Sequence, residues 1–295
     1  MLNSSSDHRP AQRSSVPRLP PGTLPYHAAD QPYRPLRRLR SLIIAVILIG
    51  LFIGAARLAE VDLGKLLHNL SKIGQWVRLM FPPYDSNFRQ PPTVDEWLYY
   101  LKDGLQTVAI ATVGVTVAAV LAIIPAIFAT RTLTPSRWLY YPTRWFLNSL
   151  RAIDSFIFAL YFVAAVGLGP FAGVLGVALH TWGSMAKLYA EALENLELAP
   201  MLALESAGTG RIRALIYALL PDAYPVLISV TLFWWEFTVR ASIALGIVGA
   251  GGIGQDVKNA IDLLNFPQLG ALILIIVVMV TIIDQLSNWL RQAVQ

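Results

Sequence analysis

Few side chains in this 295-residue chain could do chemistry, and most of them sit inside apolar sequence. Arg151 and Asp154 stand three residues apart, and Glu236 and Arg240 four apart, so on a continuous helix each pair shares one face. An unpaired charge in the middle of a bilayer costs about 3 kcal/mol or more. Two readings of these pairs stay open: mutual neutralisation or contact with another helix, and a solute pathway in which the Arg240 guanidinium attracts an oxyanion. His180 offers the same choice between sensing an anion or a proton and sitting satisfied in a core. Arg151, Asp154, His180, Glu236 and Arg240 are therefore the candidate lining of a translocation pathway.

The run Gly249-Ala250-Gly251-Gly252-Ile253-Gly254 fits the G-x-G-x-x-G pattern of dinucleotide sites, which requires a preceding strand. Here the preceding residues close an apolar run. Gly249, Gly251, Gly252 and Gly254 instead read as close backbone approach or a gate at an outer mouth. The sequence has no phosphate-binding G-x-x-x-x-G-K-[ST] loop, no H-E-x-x-H and no G-x-S-x-G. It contains no cysteine and only four histidines, so thiolate chemistry is excluded and a metal site is not expected.

The elements that must position these groups are membrane spans. Hydrophobic residues make up 55% of the chain and charged residues 14%, against about 25% charged in soluble domains. Apolar runs cover Leu42 to Ala59, Leu105 to Ala129, Ala152 to Val166, Phe171 to Leu188, Pro225 to Ile247 and Leu269 to Leu286. Each must be helical in lipid, because a lone strand leaves its backbone groups unpaired. The third and fourth are short for a crossing of about 20 residues, so their ends extend into the flanks. The expected fold is all-α and polytopic, with about six transmembrane helices.

Residues 1–40 read as a disordered basic tail with seven arginines and seven prolines. Residues 41–59 form the first span, 60–104 a periplasmic segment and 105–290 the transmembrane core. With the N-terminus inside, 14 lysines and arginines fall on the inner side and 7 outside, which places both termini in the cytoplasm. The tail alone carries the net charge of +5, so the basic character reports orientation and implies no nucleic-acid partner. Thr93-Val94-Asp95-Glu96 reads as a helix start.

The inner stretch 189–221 is rich in Ala, Leu and Glu and is broken by Pro200 and Gly208-Thr209-Gly210. It reads as a helix, a glycine break and a second helix ending at Leu220-Pro221. Such a hairpin is either a rigid cytoplasmic knob or an ordinary amphipathic loop. Its spacing resembles the coupling motif of type I ABC-importer permeases, in which a glycine precedes the proline of a Leu-Pro pair by thirteen residues, as Gly208 precedes Pro221. Ala203 matches the alanine of that motif. Leu202 replaces its glutamate and Ala218 its usual isoleucine, and Glu205 is a substitute acid.

The resemblance narrows over residues 93–290. Arg151 to Asp154, Phe158 to Leu160, Val166 to Leu175, His180-Thr181, Lys187-Leu188, Glu191-Ala192, Glu236, Val239-Arg240 and the glycine run from Gly246 to Gly254 look like phosphonate-transporter permeases. That resemblance implies an inner-membrane homodimer that imports phosphonate, phosphite or hypophosphite. It also implies two cytoplasmic ATPase subunits, which hold the ATP and magnesium, and an external substrate-binding protein. This chain would bind no cofactor and would be no enzyme. Glu191, Ala203, Glu205, Gly208, Leu220 and Pro221 would carry ATPase coupling. A methionine-type permease, an ATP-independent secondary transporter and an intramembrane enzyme are the alternatives. The secondary transporter would call for inverted repeats, and none is visible.

Overall fold

A computed structural model describes residues 34–82, 91–134 and 136–294. Every regular element among them is helical. In order they are α1 (Arg34–Leu58), α2 (Leu63–Met80), α3 (Val94–Ala129), α4 (Arg137–Ala152), α5 (Ser155–Val166), α6 (Pro170–Glu194), α7 (Ala199–Ser206), α8 (Arg211–Ala214), a π-helical turn (Leu215–Leu219), α9 (Leu220–Gly246), α10 (Ile253–Asp262) and α11 (Phe266–Val294). The chain divides into two units, residues 1–69 and 70–295.

In the first unit, α1 starts at Arg34 and so takes in residues assigned to the tail from sequence. Leu36 and the arginines around it continue the helical run because nothing between Arg34 and Leu42 breaks it except Pro35, which is tolerated in a first turn. Residues 1–33 of the expected tail lie outside the described residues.

The second unit is a helix bundle built around α6, which packs against α3, α4, α5 and α9. The close approach follows from small residues. A Cβ placed on Gly176 would lie 2.8 Å from the backbone of Ala159, so α5 and α6 touch through their main chains. Ala118, Ala122, Ala126, Ala186 and Ala190 form the α3–α6 seam with Met185 and Tyr189. The start of α3 is the capping box read from sequence: the Glu96 amide donates to Thr93 Oγ1 at 3.3 Å and the Thr93 amide to Glu96 Oε2 at 2.6 Å. This sets the start of the helix at Val94, eleven residues ahead of the apolar run, so the end of the expected periplasmic segment is continuous with the span.

Four helical stretches are long and apolar enough to cross a membrane: Leu39–Leu58, Val94–Ala129, Arg211–Gly246 and Phe266–Ala293. α4 and α5 make a fifth if counted together, bent by 81° at their junction. The third expected span is thus two helices. Its bend is built by Asp154, whose carboxylate accepts from the Phe156 amide at 2.8 Å and starts α5 afresh. The fourth expected span lies on α6, whose 25 residues would reach about 37 Å but whose C-terminal half carries Lys187, Glu191 and Glu194.

Candidate functional site

One end of the bundle carries the helical hairpin. α7 stops at Ser206, and Gly208 turns the chain with φ +88°, a left-handed conformation that costs other residues about 1 kcal/mol or more. The Gly208 and Thr209 amides close the turn on Glu205 O and Leu204 O, each at 3.0 Å. The second helix does not end at Leu220-Pro221, as the sequence suggested. It runs from α8 through the π turn directly into α9. Pro221 has no N–H to give a regular helix, and the wider turn stands immediately before it.

The hairpin is fastened to its neighbours. Met201, Ala214 and Leu219 are buried with Leu133, Leu193 and Ala223. Arg211 donates to the carbonyls of Thr132 and Leu133 at 3.1 and 3.3 Å. Beside it, Arg144 of α4 donates to both Glu194 oxygens at 2.8 and 2.9 Å and to Ala129 O at 3.0 Å. Glu194 also accepts from the Arg131 amide at 2.7 Å. This clamp ties the ends of α3 and α6 to the middle of α4. No sequence spacing marks it, since its partners are 50 residues apart. Of the coupling candidates, Ala203, Gly208, Leu220 and Pro221 are exposed, and Glu191 pairs with Lys187 at 3.8 Å. Glu205 is half-buried, with Oε1 lacking a hydrogen-bond partner among the described residues.

The expected Arg151–Asp154 face does not exist. Arg151 ends α4 and Asp154 caps α5, so the 81° bend separates them. Arg151 is exposed, with no partner among the described residues. His180 Nδ1 lies 2.8 Å from the Ile153 carbonyl, at the bend itself, and its ring meets Trp234 edge-on at 6.0 Å.

Glu236 and Arg240 do pair, at 2.7 Å, and two residues of α11 complete the group. Arg240 donates to Asp284 at 3.0 Å, and Arg291 donates to the other Glu236 oxygen at 2.6 Å. Two cations and two anions thus neutralise one another and tie α9 to α11. The geometry is that of neutralisation and helix contact. Asp284 was missed, although it interrupts an otherwise apolar run in the sixth span.

The glycine run joins α9 to α10 as a pinned loop. A Cβ on Gly254 would fall 1.8 Å from the Ile243 carbonyl, so only glycine fits there. The Gly252 amide donates to Gln106 Oε1 at 3.0 Å and the Ile253 amide to Thr107 Oγ1 at 2.9 Å. The Gly169 amide donates to Gly249 O at 2.9 Å. Gly251 and Gly254 lie against the backbone of Pro170 and Ile243, Gly249 and Gly252 chiefly against the side chains of Leu168 and Thr107, and the residues before the run are helical, not a strand. One turn further, Asp256 is buried, and burial plus the neighbouring Asp103 carboxyl pushes it up to about 7. No cluster of three or more possible metal ligands occurs among the described residues.

Residues 118–295 match the family described as "Binding-protein-dependent transport system inner membrane component". The chain belongs to this family. It is a multi-pass helical membrane protein and a transport permease subunit of the ABC-importer class. It is 38% identical over 255 residues to the "Putative phosphite transport system permease protein HtxC" of Stutzerimonas stutzeri, covering 86% of this permease and 87% of that one. It is 34% identical to the "Phosphite transport system permease protein PtxC" of the same organism, over 78% of this chain and 81% of the relative. Among solved structures it resembles the chain from "Inward facing conformations of the MetNI methionine ABC transporter", with TM-score 0.62 and 19% identity over 69% of this chain and all of that one. That last likeness is one of fold.

Proposed function

We propose that this permease carries a phosphorus oxyanion, phosphite or a phosphonate-like relative, inward across the cytoplasmic membrane at the expense of ATP hydrolysed on separate subunits. The observation that carries the substrate class is the 38% identity to HtxC along nearly the whole of both chains. The working unit is a homodimer with two ATPase subunits on the hairpin side and a binding protein on the side of the glycine loop. It has six spans per chain, α6 among them, and both termini are cytoplasmic. The domain plan is the one read from sequence, with the hairpin at 189–221 inside the core 105–290.

Coupling runs through the hairpin. ATP binding brings the two ATPases together, and the exposed tip around Ala203 and Gly208 moves with them. Packing at Met201 and the hydrogen bonds of Arg211 support transmission of that motion to α3, α6 and α9 as one body. The bundle then opens outward, receives the anion, and returns on hydrolysis.

Arg151 and His180 are the residues that meet the anion. A free guanidinium beside a broken helix at bilayer depth fits that role. Arg240 and Glu236, already paired, hold α9 on α11, and the pinned glycine loop serves as the fixed outer frame. The decisive test is uptake into proteoliposomes containing the permease, its ATPase and its binding protein. ATP-dependent accumulation of phosphite or methylphosphonate, with no accumulation of methionine, is expected. Methionine transport, or uptake driven by a proton gradient alone, would overturn the reading.

A further inference from the structure

Apart from Arg151, helix α4 carries an arrangement that the proposed transport cycle does not use. At 100° per residue, Arg137, Arg144 and Arg151 recur every seventh position and fall on one line of the helix. Trp138, Tyr141 and Trp145 fall on an adjacent line. Leu147, three residues after Arg144 and four before Arg151, lies on the far side from the aromatic line and is buried against the bundle. Trp138 is 90% exposed and Trp145 74%, the most exposed tryptophans among the described residues. No acidic residue occurs in the helix.

The first turns of α4 lie at the hairpin end of the bundle, because Arg144 donates to the last carbonyl of α3 and to Glu194 at the end of α6. From there the helix runs along α6 until Leu150 and Arg151 reach Gly183. With the hairpin end at the cytoplasmic boundary, as proposed above, the helix slants from that boundary into the bilayer with its aromatic line outward. Arg144 is engaged by Ala129 and Glu194 through Nε and Nη2. Arg137 is exposed and has no hydrogen bond or ion pair among the described residues. It borders a surface hollow of about 350 Å³ formed with Trp138, Tyr141 and Pro142. On the other side of Pro142 a second groove, about 360 Å³, is walled by Ile124, Phe128, Phe146 and Trp182. Its Trp182 indole is already satisfied by the Leu121 carbonyl at 2.9 Å, which leaves an apolar trough.

A free cation at the boundary, aromatic rings beside it and an apolar trough leading inward are complementary to one kind of molecule. We propose that the α4 surface binds an anionic phospholipid of the inner leaflet, with Arg137 at the headgroup phosphate, Trp138 and Tyr141 at the carbonyl level and an acyl chain along Phe146 and Trp182. A zwitterionic lipid would gain the same apolar contact but less from the unpaired arginine.

The test uses the full-length permease in nanodiscs doped with brominated lipid, reading tryptophan fluorescence. The difference between the wild type and W138F/W145F isolates the two α4 rings. Brominated phosphatidylglycerol should reach half-maximal quenching at roughly one fifth of the mole fraction needed by brominated phosphatidylcholine, the preference expected of one arginine near an anionic surface. In R137Q that ratio should fall below half its wild-type value, and R137K should restore it. Equal quenching by the two lipids in the wild type overturns the proposal, as does a ratio that survives R137Q. Absence of quenching by either lipid would show α4 covered by protein and would overturn it too. None of these readings depends on which solute is transported.

Discussion

Replacing Glu236 with glutamine should destabilise the permease far more than replacing Asp284 with asparagine, although both remove one carboxylate from the same four-residue group. Glu236 is the inner member. Its side chain is 17% exposed and it accepts from both Arg240 and Arg291, the latter 26% exposed. Asp284 pairs only with Arg240, at 36% and 43% exposure. A hydrogen bond to a charged group contributes about 1.5–3 kcal/mol when shielded. An exposed pair contributes about 0.2–1 kcal/mol. Glutamine can still accept one bond, so E236Q should cost about 2–4 kcal/mol, while D284N should cost no more than about 1 kcal/mol. For a bundle of this size each kcal/mol moves Tm by about 2–4 °C, giving a fall of about 4–16 °C for E236Q and at most about 4 °C for D284N. The assay is thermal unfolding of detergent-solubilised protein followed by size-exclusion fluorescence. The double variant E236L/R291M should recover much of the loss, because it removes a shielded charge and its partner together. R240K keeps the charge and should retain uptake. Equal Tm shifts for E236Q and D284N would refute the division of labour, and lost uptake in R240K at unchanged Tm would return Arg240 to the pathway.

Arg151→Gln should abolish anion uptake while leaving Tm within about 2 °C of wild type, since Arg151 has no partner to lose among the described residues; uptake and melting measured on one preparation decide it. Gly208→Pro should uncouple ATP hydrolysis from transport, because a fixed negative φ cannot occupy the +88° turn; tight coupling in that variant would reject the hairpin's role. Asp256 predicts a pH effect with a definite sign. Its folded-state value, about 7, is above the ordinary 3.8, so the folded protein holds a proton that the unfolded chain has released between those limits. Stability should be fully present below about pH 4 and decline as pH rises toward 7, and Asp256→Asn should flatten that slope in melting curves.

Composition was enough to show a helical membrane protein, because apolar runs of span length have no other use in a chain with so few charges. The hairpin break was legible too, since Gly208 and Pro221 act through backbone geometry that depends only on the residue itself. The glycine loop was half legible. Its need for close approach follows from residue type, but its anchors Gln106 and Thr107 sit 146 positions away and carry no local mark. The bend at Asp154 was misread because an i,i+3 rule presumes an unbroken helix. The aspartate was instead strong enough as a cap to start a new one. Arg144–Glu194 joins helices by a long-range pair that no periodicity announces. Asp284 could have been found, as a carboxylate inside an apolar run asks for a cation on a facing helix.

The π turn at Leu215–Leu219 has a further consequence. A π turn holds one residue more than the α-helical path it interrupts, and one residue is about 100° of helix rotation. The hairpin's heading relative to α9 is therefore a matter of phase. Deleting a single residue between 215 and 219 would allow an ordinary helix to close and would swing α7 about a quarter-turn around the α9 axis. Related permeases that differ by one residue in this segment would present their hairpin tips in different directions while keeping identical side chains there. If the ATPase docks on the hairpin as proposed, matching a permease to a foreign ATPase is a question of counting residues in this turn as much as of matching surfaces.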